Sequence, residues 1–111
     1  MVTEYTPKRG DIIWISFNPQ AGHEQAGRRP ALVLSPEIYN ARTGLSLCVP
    51  LTAKVKNLPF EVPLPTGLPI SGVILSDHIK NLDWKARNAD YICDVDEEII
   101  TNVLEKLKKL L

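Results

Sequence analysis

Residues 22–30, which read GHEQAGRRP, bring an imidazole, a carboxylate, an amide and two guanidiniums together within seven positions. Glycines at both ends let the segment turn freely, and the apolar stretch behind it predicts a rigid strand as its base. Glu24 could act as a general base, while Arg29 could hold a phosphate through two hydrogen bonds and stabilise charge on it. The segment therefore predicts a site for an anionic, phosphate-bearing ligand. The alternative is a surface ion pair between Glu24 and Arg29 that only orders the loop.

Other chemistry-bearing residues lie further along the chain. Thr52 ends a predicted strand, where its hydroxyl could bind a phosphate oxygen or simply be solvated. Asp77 and His78 are adjacent, and neighbours on a strand point to opposite faces, which disfavours an acid–base pair. His78 could equally bond a base or a ribose. Trp14 and Trp84 could stack on bases, although Trp14 sits in an apolar strand and is expected in the core.

Length and composition predict one globular domain spanning residues 1–111. Hydrophobic residues make up 44% of the chain and charged residues 23%, as in ordinary soluble proteins. No apolar run approaches the ~18 residues of a membrane span, and the first residues contain no secretory signal. These features predict a cytoplasmic location. Cys48 and Cys93 lie in apolar runs and are expected to be core thiols, and no motif predicts a metal or another cofactor.

The net charge is zero but unevenly distributed. Residues 1–56 carry seven Lys and Arg against four Asp and Glu, a balance of +3, and residues 57–111 carry six against nine, a balance of −3. The basic half contains the glycine-bounded loop together with Arg42, Lys54 and Lys56. This distribution indicates either two ordinary solvated faces or an electropositive groove on a neutral protein.

Short strands bounded by turn residues predict a mainly β (α+β) fold. The expected strands are 12–17, 30–35, 45–52, 60–64, 73–76 and 89–95, with one helical turn at 37–41. Pro50 indicates an edge or a bulge. From Ile99 onward the apolar residues follow helical spacing, and residues 94–97 resemble a capping box. We expect a small barrel of strongly bent antiparallel strands with a C-terminal amphipathic helix packed on it.

Cleavage of RNA is a metal-free reaction that these groups could perform. The 2′-hydroxyl is an internal nucleophile, so the protein must accept its proton, stabilise the charge on the phosphorane and help the 5′-oxygen leave. A glutamate, an arginine and a hydroxyl donor can divide these tasks.

Four segments in order resemble one family of proteins. They are GDIIW at 10–14, EQAGRRPALVLS at 24–35, LCVPLT at 47–52 and GVILSDHIK at 72–80, followed by a tryptophan and an arginine. Together they resemble the MazF/PemK (Kid) family of toxin endoribonucleases, over nearly the whole chain.

The resemblance implies an SH3-like barrel, a homodimer and metal-independent, sequence-selective cleavage of single-stranded RNA that leaves a 2′,3′-cyclic phosphate. It assigns catalysis to Arg29 and Thr52 and links Glu24 to activity; we expect Arg29 to stabilise transition-state charge, because a guanidinium stays protonated. RNA-binding residues are expected at Gln25, Arg28, Lys56, Asp77, His78 and Arg87. The implied partner is an antitoxin whose acidic, disordered tail crosses the RNA groove.

Departures from the family pattern concern specificity. The segment between Pro63 and Gly72 is variable in the family and is expected to shape base selection, while His23 and Arg28 are not fixed by the pattern. Two alternatives belong to other classes: a non-catalytic toxin of the CcdB type, which binds DNA gyrase, and an inactive SH3-like interaction module. The set of Glu24, Arg29 and Thr52 favours the nuclease, because a binder needs no groups centred on a phosphate.

Overall fold

The strands of this computed structural model, which describes residues 5–17 and 27–111, all pair in antiparallel fashion. In chain order the elements are β1 (Asp11–Ser16), β2 (Arg28–Val33), α1 (Glu37–Thr43), β3 (Leu45–Thr52), β4 (Glu61–Pro63), β5 (Val73–Leu75), β6 (Lys80–Asp83), β7 (Asp90–Asp94) and α2 (Glu97–Lys108). The strand order is β4-β5-β3-β2-β1-β7, with β6 also paired to β3. The mainly β class with a C-terminal helix is confirmed. Among the described strands, β4 and β7 do not pair, so the barrel is not closed.

Apolar side chains are buried on both faces of the sheet. One cluster lies beneath α2 and combines sheet residues with three helix residues, Ile100, Val103 and Leu107. The second cluster lies on the other face and contains Phe17, Cys48 and Trp84. Since side chains alternate between faces, Ile12 enters the first cluster and Ile13 the second. This two-sided burial explains why β1 reads as an almost continuous apolar run.

The long strand β3 changes partners along one edge. It pairs with β6 through Leu45–Cys48 and with β5 through Leu51 and Thr52. Pro50 lies between these two pairings, buried and opposite Ala31 of β2. The expectation of an edge or bulge at Pro50 is therefore wrong, because β3 is an inner strand with partners on both sides. Pro50 falls between the pairings with β6 and β5, where the missing N–H of a proline is tolerated.

The helix α2 buries Ile100, Val103 and Leu107 of its predicted apolar face, but it ends at Lys108, and Leu110 and Leu111 lie exposed beyond it. Acidic residues occupy the first turn and lysines the last, which suits the helix dipole. The N-cap is Asp96 and not Asp94, and its side chain makes no capping hydrogen bond, so the capping box expected at residues 94–97 does not form. Within the described part of the chain, no helix is long and apolar enough to cross a membrane.

Candidate ribonuclease groove

Arg29 and Thr52 lie at the ends of two adjacent strands and line the same groove. The strands β2 and β3 pair with Ala31 opposite Pro50 and Leu32 opposite Val49. The pairing ends at Ala31 and Pro50, and Arg29 and Thr52 each lie two residues beyond these, at the same end of the two strands. The sheet thus brings together a guanidinium and a hydroxyl that are far apart in sequence.

The groove has a volume of about 560 Å³, which falls within the range of about 300–1,000 Å³ typical of ligand sites. Polar groups on its surface come from Arg28, Arg29, Thr52 and Ser71, and apolar surface comes from Trp14, Pro30, Leu51, Ala53, Pro69 and Ile70. The segment between Pro63 and Gly72 therefore contributes three lining residues, Pro69, Ile70 and Ser71. A groove with both kinds of surface can hold a charged phosphate beside a flat, apolar base.

The hydroxyl of Thr52 is oriented by the turn that follows β3. Its Oγ1 accepts a hydrogen bond from the backbone N–H of Lys54 at 3.2 Å. This contact uses one of the two lone pairs of the oxygen and leaves the hydroxyl hydrogen to be donated to a ligand oxygen. Thr52 is half-buried, and a phosphate could reach it from the groove.

Arg28 is held at the rim of the groove by an ion pair. Its Nη2 donates to the Oδ2 of Asp90 on β7 at 2.8 Å, and both side chains are exposed. An exposed pair of this kind contributes at most about 1 kcal/mol and is easily exchanged for a stronger anion. Arg28 could therefore turn toward a phosphate without a large loss of stability.

A second cavity, of about 240 Å³, adjoins the groove at Thr52. It is lined by Thr52, Lys54, Lys56, Leu58, Glu61, Leu75 and His78. Two of the expected RNA-binding residues, Lys56 and His78, therefore lie together, and Thr52 belongs to both cavities. A polynucleotide chain could pass from one cavity to the other across this residue.

Glu61 is a site residue that the sequence did not single out. Its side chain is buried, and its carboxylate accepts hydrogen bonds from the backbone N–H groups of Lys56 and Asn57 at 3.0–3.2 Å. Asn57 adopts a left-handed conformation with φ of 57°, which closes the turn. The carboxylate thereby fixes the segment that carries Lys56; the available signal was an acidic residue opening an otherwise apolar strand.

Asp77 and His78 lie in the turn after β5 and not on a strand, so the predicted separation onto opposite faces is wrong. His78 Nε2 and Asp77 Oδ1 are 3.8 Å apart, which is too far for a hydrogen bond. Asp77 is not among the residues that line either cavity.

Arg87 reaches the end of β1 without lining the groove. Its Nη1 donates to the carbonyl oxygen of Ser16 at 3.1 Å, and its own carbonyl accepts from the N–H of Ser16. These contacts fix the strand end opposite Arg28, with which Ser16 pairs. Three residues of the glycine-bounded loop, His23, Glu24 and Gln25, lie outside the described residues.

The two tryptophans occupy opposite environments. Trp84 is buried, and its indole N–H donates to the carbonyl of Asn40 at 2.9 Å, so it belongs to the core. Trp14 is 39% exposed and lines the groove, whereas both of its neighbours on β1 are fully buried. The expectation that Trp14 is a core residue is wrong, because β1 ends at the groove and the sheet leaves the outer face of Trp14 uncovered.

The two cysteines, Cys48 and Cys93, line neither cavity. Both cysteines are free; Cys48 is fully buried, whereas Cys93 is only partly so. Burial raises the pKa of the Cys48 thiol to about 11. Within residues 5–17 and 27–111, no group of three or more His, Cys, Asp and Glu side chains could hold a metal ion.

A family model described as PemK-like, MazF-like toxin of type II toxin-antitoxin system matches residues 8–111. The endoribonuclease toxin MazF of Escherichia coli K12 is 46% identical over 111 residues, which cover 100% of this chain and 99% of the relative. The endoribonuclease PemK of Escherichia coli is 36% identical over 108 residues, which cover 94% of this chain and 81% of PemK.

Solved structures agree with this relationship. The crystal structure of MazF (Form-I) from Deinococcus radiodurans superimposes with a TM-score of 0.94 at 48% identity, covering 96% of this chain and 97% of the other. A MazE–MazF complex (Form-II) from the same organism gives a TM-score of 0.85 at 42% identity, with 96% of both chains covered.

Proposed function

The chain belongs to the PemK-like, MazF-like toxins of type II toxin–antitoxin systems, and we propose that it cleaves single-stranded RNA in the groove between Arg29 and Thr52. It is the RNA-cleaving toxin of such a system, as its endoribonuclease relatives are. The observation that carries the choice of site is the convergence of Arg29 and Thr52 at adjacent strand ends. The same relatives disfavour the gyrase-binding alternative, because they are named endoribonucleases.

The proposed reaction is an internal transesterification. The 2′-oxygen forms a bond to phosphorus while the bond to the 5′-oxygen breaks, which leaves a 2′,3′-cyclic phosphate and a 5′-hydroxyl. Glu24 accepts the proton of the 2′-hydroxyl, and the departing 5′-oxygen takes a proton from water; the hydroxide left behind then takes the proton from Glu24, which returns the carboxylate to its starting state. No metal is needed, because the nucleophile belongs to the substrate.

Arg29 and Thr52 act on the phosphate. The guanidinium donates two parallel hydrogen bonds to the non-bridging oxygens as their negative charge increases. The Thr52 hydroxyl, oriented by the N–H of Lys54, donates to one of the same oxygens. Donors fixed in advance stabilise the phosphorane more than the substrate, which lowers the barrier.

The rest of the RNA chain follows the two cavities. Lys56 and His78 in the second cavity bind the nucleotide on one side of the cleaved bond, and Arg28 contributes at the rim of the groove. Gln25 is proposed as a further RNA-binding residue. Two further RNA-binding residues lie outside the cavities: Asp77, in the turn before β6, and Arg87, which contacts the end of β1. The segment Pro69–Ser71 reads the bases, which makes cleavage sequence-selective. Messenger RNA is the proposed substrate, so growth stops through loss of translation in the cytoplasm.

A cognate antitoxin is the partner of this toxin, since solved MazE–MazF complexes share its fold. We further propose that an acidic, disordered segment of the antitoxin occupies the cationic groove in place of RNA. We also propose that residues 1–111 act as one domain and that the toxin is a homodimer.

The direct test is incubation of the purified protein with a mixed-sequence single-stranded RNA in excess EDTA. We expect discrete fragments with 2′,3′-cyclic phosphate ends. Arg29→Ala should lower the cleavage rate by about 10²–10³-fold, as expected for a lost transition-state donor.

Arg42→Ala is the matched control, because Arg42 is an exposed arginine in the last turn of α1 and lines neither cavity. Cleavage that vanishes in EDTA, or that Arg29→Ala and Arg42→Ala leave equally intact, would contradict the proposed function. Sequencing of the fragment ends identifies the bases selected.

A further inference from the structure

The indole of Trp14 forms the centre of an apolar wall in the groove. Trp14 pairs with Pro30 on one side and with Asp90 on the other. Pro30 and Leu51 each lie one residue beyond Ala31 and Pro50, the last pair of β2 and β3, so Trp14, Pro30 and Leu51 lie at the same end of three neighbouring strands. Paired residues share a face of a sheet, and all three line the groove.

Polar groups border this wall on two sides. The ion pair between Arg28 and Asp90 crosses β1 on the same face as Trp14, at 2.8 Å. Arg29 pairs with Ile15 and so starts from the other face of the sheet, but it and Thr52 both line the groove near the ends of their strands, where they contribute the phosphate-binding side. Pro69 and Ile70 belong to the same groove. A flat ring lying on Trp14 would thus be placed beside the scissile phosphate.

The end of β1 leaves an aromatic face open to the groove at Trp14. Ile12, two positions earlier and on the same face of β1, is fully buried in the first cluster, yet 39% of Trp14 is accessible. Trp84 shows how this chain buries a structural tryptophan, with 5% exposure and its N–H hydrogen-bonded. An aromatic face left open beside cationic groups is how proteins stack the bases of single-stranded nucleic acids.

We propose that Trp14 is the stacking platform for the nucleobase adjacent to the scissile phosphate. This inference rests on the proposed function and assigns a binding role to a residue outside the catalytic set. Every base has a π face, so the platform positions the chain without selecting a sequence. Selection then belongs to the hydrogen-bonding groups around it and to the segment Pro69–Ser71.

The test uses an RNA made non-cleavable by a 2′-deoxy nucleotide at the scissile position. Stacking should quench the emission of Trp14 on titration, and Trp14→Phe should remove this quenching because the buried Trp84 does not contact the ligand. Trp14→Phe keeps an aromatic face and should retain most of the affinity. Trp14→Ala should bind about 5- to 150-fold more weakly, as expected for loss of one stacked base.

An abasic substitution distinguishes stacking from a structural effect. Removing the base next to the cleaved bond should weaken binding to the original protein, but add little in Trp14→Ala, since both changes remove the same contact. Ile38→Ala, at an exposed apolar residue of α1, is the control and should bind as the original does. Circular dichroism and thermal melts should show that all variants fold.

The outcomes separate this inference from the proposed function. Normal binding by Trp14→Ala, or losses that simply add to those of the abasic RNA, would overturn the stacking role while cleavage dependent on Arg29 persisted. A changed molecular mass of Trp14→Ala by light scattering, without coupling to the abasic site, would assign Trp14 to a protein interface instead. Absence of any RNA cleavage by the original protein would reject the proposed function first.

Discussion

At the scale of single residues, the groove depends on donors that the backbone has already oriented. Thr52 is an example, because the N–H of Lys54 occupies a lone pair of its hydroxyl oxygen and leaves the hydrogen for the substrate. Glu61 acts in the opposite sense: its buried carboxylate accepts hydrogen bonds from the backbone and so holds the turn that presents Lys56. Both arrangements exist before RNA binds, and such preorganised groups are the ones that stabilise a transition state effectively.

Replacement of Thr52 by valine tests this idea, because valine keeps the shape and removes the hydroxyl. We expect Thr52→Val to lower the single-turnover cleavage rate by about 10²-fold at saturating RNA. Thr52→Ser should retain most of the rate, because it keeps the donor. Thr101→Val, on the exposed face of α2, is the control. Equal rates for the valine and serine variants at position 52 would show that the hydroxyl takes no part.

At the scale of the elements, the end of β3 is fixed by a close approach of two backbones. Gly72 precedes β5 and has φ of +128°, and a Cβ built on it would lie 2.2 Å from the carbonyl oxygen of Thr52. The carbonyl belongs to the β3–β5 ladder, where Thr52 pairs with Val73, so it has little room to move. A glycine here is what allows Thr52 to face the groove.

Gly72→Ala should therefore destabilise the fold by about 3 kcal/mol or more, through steric overlap added to backbone strain. Gly67→Ala is a matched control: φ is also positive, at +93°, but nothing lies within 4 Å of its added Cβ. Its cost should be about 1 kcal/mol, from strain alone. Urea unfolding measures both, and equal losses would show that the contact with Thr52 can relax.

The strands were largely predictable from sequence, with β3 predicted to the residue and the others within a few positions. The strand β6 was missed because KNLD contains one buried apolar residue, Leu82, among polar ones. The capping box predicted at residues 94–97 was wrong because the helix begins only at Glu97, so Asp94 is not its N-cap. Propensity describes neighbours along the chain, whereas pairing with β3 is a property of the sheet.

The site was predictable to a smaller extent. The residue types of Arg29 and Thr52 indicated phosphate chemistry, but their proximity follows from the β2–β3 register, which no local pattern contains. Trp14 was misplaced because a two-sided core removes the alternation that distinguishes inner from outer positions. The predicted roles of Glu24 and Gln25 fall outside the described residues and stay predictions.

At the scale of the whole molecule, burial makes stability sensitive to alkaline pH. Burial raises the pKa of the Cys48 thiol from 9.0 to about 11, because a thiolate would be charged inside the second cluster. Burial also raises the pKa of Tyr5, whose hydroxyl donates to Asp11. Each group keeps its proton longer in the folded chain than in the unfolded one, so both effects have the same sign.

The free energy of unfolding should fall as pH rises through 9 toward 11, where the unfolded state binds fewer protons than the folded state. The Cys48 contribution amounts to about 2–3 kcal/mol by the end of this range. Cys48→Ala should be less stable near neutral pH, owing to the small cavity, but should lose less stability between pH 9 and 11. Parallel pH profiles for the two proteins in urea unfolding would contradict this assignment.

The sharing of Thr52 between two cavities has a kinetic consequence. An intact strand that fills both cavities is tethered twice, and each attachment raises the local concentration of the other. Cleavage of the RNA at the phosphate that Thr52 contacts divides the strand between its two attachments. Each fragment then keeps only one attachment and dissociates faster than the substrate. The cleaved bond is the one that joins the two attached parts of the substrate, so the release of products need not limit the turnover rate on long messages.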